Sequence, residues 1–171
     1  MRIPDETVLL SPTQESDLRL YRRLWLTEID LEEAKGAINE IITRNLRRAS
    51  IYKPTPLLQS LTTALVVAYT RPFVVSRGDQ SYADRTAPGS ILKVLTSEER
   101  RFHNLLITMR NREVAHSDAE VTQVTLELIP DGHGGICKVT RDPLSRPQLR
   151  ALLAMIEKVE AELQQRGWLV D

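Results

Sequence analysis

Between Asp17 and Leu46 the apolar positions Leu18, Leu20, Leu24, Ile29, Leu31, Ala34, Ile38, Ile41 and Ile42 return at roughly helical spacing. Ser11-Pro12-Thr13 supplies a start, because proline is tolerated in a first turn. Asp30 or Gly36 could interrupt the pattern, so it describes one long helix or two abutting ones. Tyr52-Lys53-Pro54-Thr55-Pro56 reads as a connector, since residues before proline avoid the helical region. A second helix is predicted from about Leu57 to Tyr69, carrying Leu57, Leu58, Leu61, Leu65 and Ala68, with a kink if it continues past Pro72. Ser76 to Ser90 is polar and turn-rich and forms the main loop. A third helical region follows from Ile91 to about Ala115. Thr96 with Glu99 three residues on matches a capping box, which sets the main start near Ser97.

The period then changes. Thr122, Val124, Leu126 and Leu128 are interleaved with Gln123, Thr125 and Glu127, which is strand spacing. Pro130-Asp131-Gly132-His133-Gly134-Gly135 is a turn, and Ile136 to Thr140 is the return strand, so 120–141 reads as a hairpin. A last helix from about Arg146 to Gln165 carries Leu149, Leu152, Leu153, Ile156, Val159 and Leu163, with Gly167 at its expected C-cap. The expected fold is mainly all-α, a single domain over 1–171. It is a four- to five-helix up-and-down bundle with a small β-hairpin inserted before the last helix.

Composition narrows the classes. The 171 residues suit one domain. The 23 basic and 23 acidic side chains cancel, so a global basic footprint for nucleic acid is absent and only a local patch is left open. Cys137 is alone, which excludes an intramolecular disulfide and favours a reducing compartment. The start Met1-Arg2-Ile3-Pro4-Asp5-Glu6 has no apolar signal region, and Ala64 to Ala68 is too short to span a bilayer. The expectation is a soluble cytoplasmic protein without membrane partners. No cysteine–histidine cluster suggests zinc, and no glycine-rich phosphate loop follows a strand, so neither metal nor cofactor is expected.

The densest chemistry is Arg110-Asn111-Arg112-Glu113-Val114-Ala115-His116-Ser117-Asp118, directly after the apolar run that ends at Met109. Arginine holds phosphate in a fork, and histidine trades protons near neutral pH. With Phe102 at zero and about 100° per residue, Phe102, Leu105, Leu106 and Met109 form the expected buried stripe. His116 falls close to Met109, Glu113 lies near the stripe and Arg112 on one border, while Arg110 falls beside His103. Arg110 and His116 are about 120° apart on a straight helix, so they converge only through a bend, a long reach or a second copy. The bland alternative makes His116 a core or interface residue and Arg112 and Glu113 ordinary helix-end groups.

An arginine, a polar residue and then a histidine, with five residues between Arg110 and His116, resembles the signature of the HEPN superfamily. The string Arg-Asn-Arg-Glu-Val-Ala-His-Ser-Asp is similar to that of its abortive-infection branch. The resemblance implies a homodimer whose motif helices face each other, and in many members a metal-independent endoribonuclease of toxin or phage-defence type. His116 would then transfer protons at a ribose 2′-OH, Arg110 would steady the phosphate, and Asn111 would orient the site. Other members only bind nucleotides, RNA or protein partners such as an antitoxin. Members paired with a nucleotidyltransferase antitoxin often carry tyrosine two residues after the histidine. Asp118 stands there, which puts that regulation in doubt and offers a group to hold or tune His116.

Weaker features surround this. Arg44, Arg47, Arg48 and Lys53 could track a phosphate backbone or simply complement a helix C-terminus. Arg19, Arg22 and Arg23 read as an exposed face. Arg77-Gly78-Asp79 matches an adhesion tripeptide by coincidence. Tyr82 and Arg85 share its loop and could clamp an unpaired base, or belong to a flexible segment. His133 reads as exposed and Cys137 as structural.

Overall fold

The computed structural model describes residues 11–50, 53–75, 83–84, 86–111, 123–128, 135–140 and 143–165. Helix dominates them. The elements in order are α1 (Pro12–Thr43), β1 (Arg48–Ser50), β2 (Lys53–Pro54), α2 (Pro56–Thr70), α3 (Ser97–Met109), β3 (Gln123–Leu128), β4 (Gly135–Thr140) and α4 (Arg146–Gln165). Short 3-10 turns cover Arg71–Phe73 and Gly89–Val94.

α1 is one helix of 32 residues that passes unbroken through Asp30 and Gly36. Its buried positions Leu24, Thr27, Leu31, Ala34, Ile38 and Ile41 alternate steps of three and four, a seam that favours shallow helix crossing. α4 repeats the seam with Leu149, Leu152, Ile156, Val159 and Leu163, and α2 with Leu58, Thr62, Leu65 and Tyr69. Each fully buried leucine or isoleucine contributes roughly 1.5–3 kcal/mol. The small residues Thr27, Ala34 and Thr62 let backbones approach. The buried hydroxyls of Thr27, Thr62 and Thr70 donate to carbonyls four residues back, at 2.8, 2.8 and 2.7 Å, so they enter the core satisfied.

α2 and α4 both pack against α1, and α3 packs against α2. Arg71, just past the end of α2, pairs with Asp30, while Leu58 at its start shares a cleft with Ile41, so α2 runs antiparallel to α1. Lys35 meets Glu160 at 3.0 Å and Asn45 meets Arg146, so α4 is also antiparallel to α1. Asp84 is docked on α1, its N–H donating to Arg19 O at 3.3 Å, and Ala87 N–H donates to Pro72 O at 2.7 Å.

β3 and β4 pair antiparallel, from Gln123 opposite Thr140 to Leu128 opposite Gly135. Most of the expected turn, together with His133, lies outside the described residues. So do residues 76–82, with the Arg77-Gly78-Asp79 tripeptide and Tyr82, and also Arg85 and Gly167. β1 and β2 add a two-stranded ladder where only a connector was expected.

Candidate functional site

α3 is built in three parts. At its start, Thr96 and Glu99 form the expected capping box: Glu99 N–H donates to Thr96 Oγ1 at 3.2 Å, and Thr96 N–H donates to Glu99 Oε2 at 2.8 Å. Lys158 on α4 adds a bond of 2.6 Å to Glu99 Oε1 and, with the cap, holds this carboxyl below its ordinary range. Arg100 donates to Leu95 O and Lys93 O, tying the helix to the 3-10 turn before it.

In the middle, the buried residues are His103 and Leu106. Tyr69 of α2 is fully buried, and its hydroxyl lies 3.0 Å from His103 Nδ1. Phe73 completes an edge-on cluster, 4.9 Å from the His103 ring and 5.7 Å from Tyr69. Burial pushes the His103 pKa down, so the ring is held neutral, and burial with Glu99 nearby pushes the Tyr69 hydroxyl upward.

This corrects the expected stripe. Leu105 is 47% exposed, while His103 is only 6% exposed. Phe102 and Met109 are half-buried. The buried face is therefore turned from the Phe102–Leu105–Met109 direction toward His103, because α2 presents a tyrosine hydroxyl that a leucine could not satisfy. Arg110, seven residues after His103, lies along that same direction, at the end of the buried face.

At its end, Arg110 keeps helical dihedrals of φ −56° and ψ −46°, and its N–H reaches Ile107 O and Leu106 O. Arg110 and Asn111 then take a wider, π-type turn, a feature frequent at functional sites. Arg110 Nη1 donates to Asn111 Oδ1 at 2.9 Å. No described carboxylate pairs with Arg110. Arg112, Glu113, His116 and Asp118 lie outside the described residues. Of the expected site, Arg110 and Asn111 are brought together and His103 is drawn into the core.

A second correction concerns α1. Arg23 is not on an exposed face: it is 6% exposed and its Nε donates to Asp84 O at 2.5 Å. Arg19 lies 3.8 Å from the Asp84 carboxylate. Arg44 pairs with Glu40, and Arg47 Nε donates to Asn45 Oδ1 at 3.2 Å.

The sequence reading missed two polar clusters. Asp30, one of two positions where the pattern left room for a break, is a buried carboxylate bound by Arg71, which also reaches Glu33 at 3.2 Å. Burial raises the Asp30 pKa and the arginine opposes the rise. Asn45 holds φ 52°, a left-handed conformation asparagine tolerates, and gathers Arg47 and Arg146 beside a cleft. An asparagine just after a periodic helix was the available signal for the second.

Among the described residues no group of three histidine, cysteine, aspartate or glutamate side chains could hold a metal ion, and no helix is long and apolar enough to cross a membrane. No protein-family model, curated protein or solved structure matches this chain.

Proposed function

We propose that this chain is a HEPN-like protein that acts as a homodimer and cleaves RNA without a metal, in the manner of a toxin or phage-defence effector. The observation that carries the reading is the pairing of Arg110 with Asn111. The amide takes one guanidinium N–H at the end of a helix whose buried positions, His103 and Leu106, are committed to packing. An arginine so held presents its remaining donors to a phosphate with little rotamer freedom left to lose.

In this reading the ribose 2′-oxygen attacks the adjacent phosphorus and the P–O5′ bond breaks. One His116 takes the 2′-hydroxyl proton, and the His116 of a second copy gives a proton to the departing O5′. Arg110 steadies the charge that builds on the phosphate oxygens. Two motif helices across a dyad supply both acid and base. Asp118, Arg112 and Glu113 take binding or tuning roles in the same motif.

The test is cleavage of RNA by the full chain in EDTA. Products ending in a 2′,3′-cyclic phosphate, lost in a folded His116→Ala variant, support the assignment. Cleavage that survives in that variant sinks it. A second reading is favoured by the zero net charge, which suits a narrow ligand better than broad RNA affinity. It is a non-catalytic nucleotide-, RNA- or protein-binding module such as an antitoxin partner. It predicts no cleavage and weakened ligand binding in Arg110→Ala.

A further inference from the structure

Where α1 ends and α4 begins, the chain forms a cleft whose described lining includes neither Arg110 nor Asn111. α1 closes with a Schellman arrangement: Leu46 N–H donates to Ile41 O at 3.0 Å and Asn45 N–H to Ile42 O at 3.1 Å. The left-handed residue of this motif is Asn45, and Leu46 and Ile41 line the same cleft beside it. With Leu58 from α2 and Leu149 from α4, these side chains floor a cleft of about 370 Å³, inside the range of small-ligand sites.

Arg47 and Arg146 line the same cleft, and both donate to the single Oδ1 of Asn45. Two guanidinium groups thus sit within two hydrogen-bond lengths, about 6 Å, of each other on a neutral amide. No described carboxylate pairs with either. The positive end of the α4 dipole lies beside them, since Ser145 and Gln148 form the reciprocal bonds of a capping box at its first turn. Gathering like charge beside an apolar cleft, with no counter-charge among the described residues, is the inverse image of an amphipathic anion.

We propose that this cleft binds a small organic anion with an apolar body. A carboxylate, sulfonate or phosphate sits on the Arg47–Arg146 pair, and the body lies on Ile41, Leu46, Leu58 and Leu149. The site is separate from the α3 terminus and stands whether or not the chain cleaves RNA.

The experiment titrates the full chain with 1-anilinonaphthalene-8-sulfonate, followed by fluorescence, beside N-phenyl-1-naphthylamine, which has the same rings and no sulfonate. One saturable site per chain is expected, displaced by decanoate. Arg47→Gln with Arg146→Gln weakens the sulfonate probe about tenfold or more, the effect of losing one charge-assisted bond, and leaves the neutral probe unchanged. Each single variant, which keeps one guanidinium on Asn45, falls between parent and double variant and serves if the double variant fails to fold. Sulfonate binding as tight without the arginines, or spread over several sites, overturns the proposal.

Discussion

Tyr69 and His103 bury a hydroxyl and an imidazole against each other, and the pair tests the turned face of α3. Tyr69→Phe leaves His103 Nδ1 in the core without its partner at 3.0 Å. An unsatisfied buried polar atom costs roughly 1–3 kcal/mol. For a chain of 171 residues this lowers Tm by about 3–10 °C. His103→Leu strands the tyrosine hydroxyl instead and costs a similar amount. The double variant removes both polar groups, so it is less destabilised than the sum of the singles by about 1–2 kcal/mol. Urea unfolding followed by far-UV circular dichroism at about pH 8, where an ordinary imidazole is neutral, reads all four corners. The same cycle run against pH has a definite sign. Burial holds the folded His103 pKa below its ordinary 6.5, so the unfolded chain takes the proton more readily. The stability this group contributes is complete above about 6.5 and is lost as pH falls through the folded value, with a limiting slope of about 1.4 kcal/mol per pH unit. Asp30 and Glu160, whose pKa values burial raises, titrate in the opposite sense, so the difference between parent and His103→Leu isolates the histidine. A Tyr69→Phe variant within about 0.5 kcal/mol of the parent, or strictly additive singles, would refute a buried bonded pair.

Other substitutions follow from the same geometry. Gly36→Ala stabilises by about 0.5–1 kcal/mol, seen as a higher urea midpoint at unchanged slope, because a Cβ there meets nothing within 4 Å in mid-helix. Arg71→Ala leaves the Asp30 carboxylate buried and unpaired. Breaking a fully buried pair costs about 3–5 kcal/mol, and with the Arg71 side chain 47% exposed the expected loss is nearer 1–3 kcal/mol. Asp30→Asn in the same chain recovers part of that loss in the same unfolding assay. The deficit of Arg71→Ala shrinks as pH falls through the raised folded pKa of Asp30, because protonation removes the uncompensated charge.

The three-four seams of α1 and α4 and the Thr96–Glu99 cap are local patterns, and a window of one or two turns exposes them. What the sequence hid depends on partners far along the chain. Asp30 looks like a helix interruption until Arg71, 41 residues on, supplies its counter-charge. Arg23 looks like a surface residue until the Asp84 carbonyl, 61 residues on, accepts a hydrogen bond from its Nε–H. Hydrophobicity favours burying Leu105 over His103, and the buried Tyr69 hydroxyl reverses that preference. The motif singled out Arg110 and Asn111 as neighbours in sequence, and the structure adds the hydrogen bond between them.

The division of labour along α3 decides how mutational results on the candidate site are to be interpreted. Its first turn is bound to Lys158 of α4 through Glu99, and its middle turns are bound to Tyr69 through His103. Changes at Glu99, His103 or Leu106 therefore act on the bundle, and any loss of function they cause tracks loss of fold. Arg110 bonds only to its own neighbour Asn111 among the described side chains, and Asn111 is exposed. Substituting them removes donors and acceptors without opening the core, so their effect on unfolding stays small, on the order of 0.5 kcal/mol, as for surface positions. Loss of RNA cleavage or binding without a matching loss of stability is thus the signature of the α3 terminus. Equal losses of both would make Arg110 one more packing residue on a helix that is all scaffold.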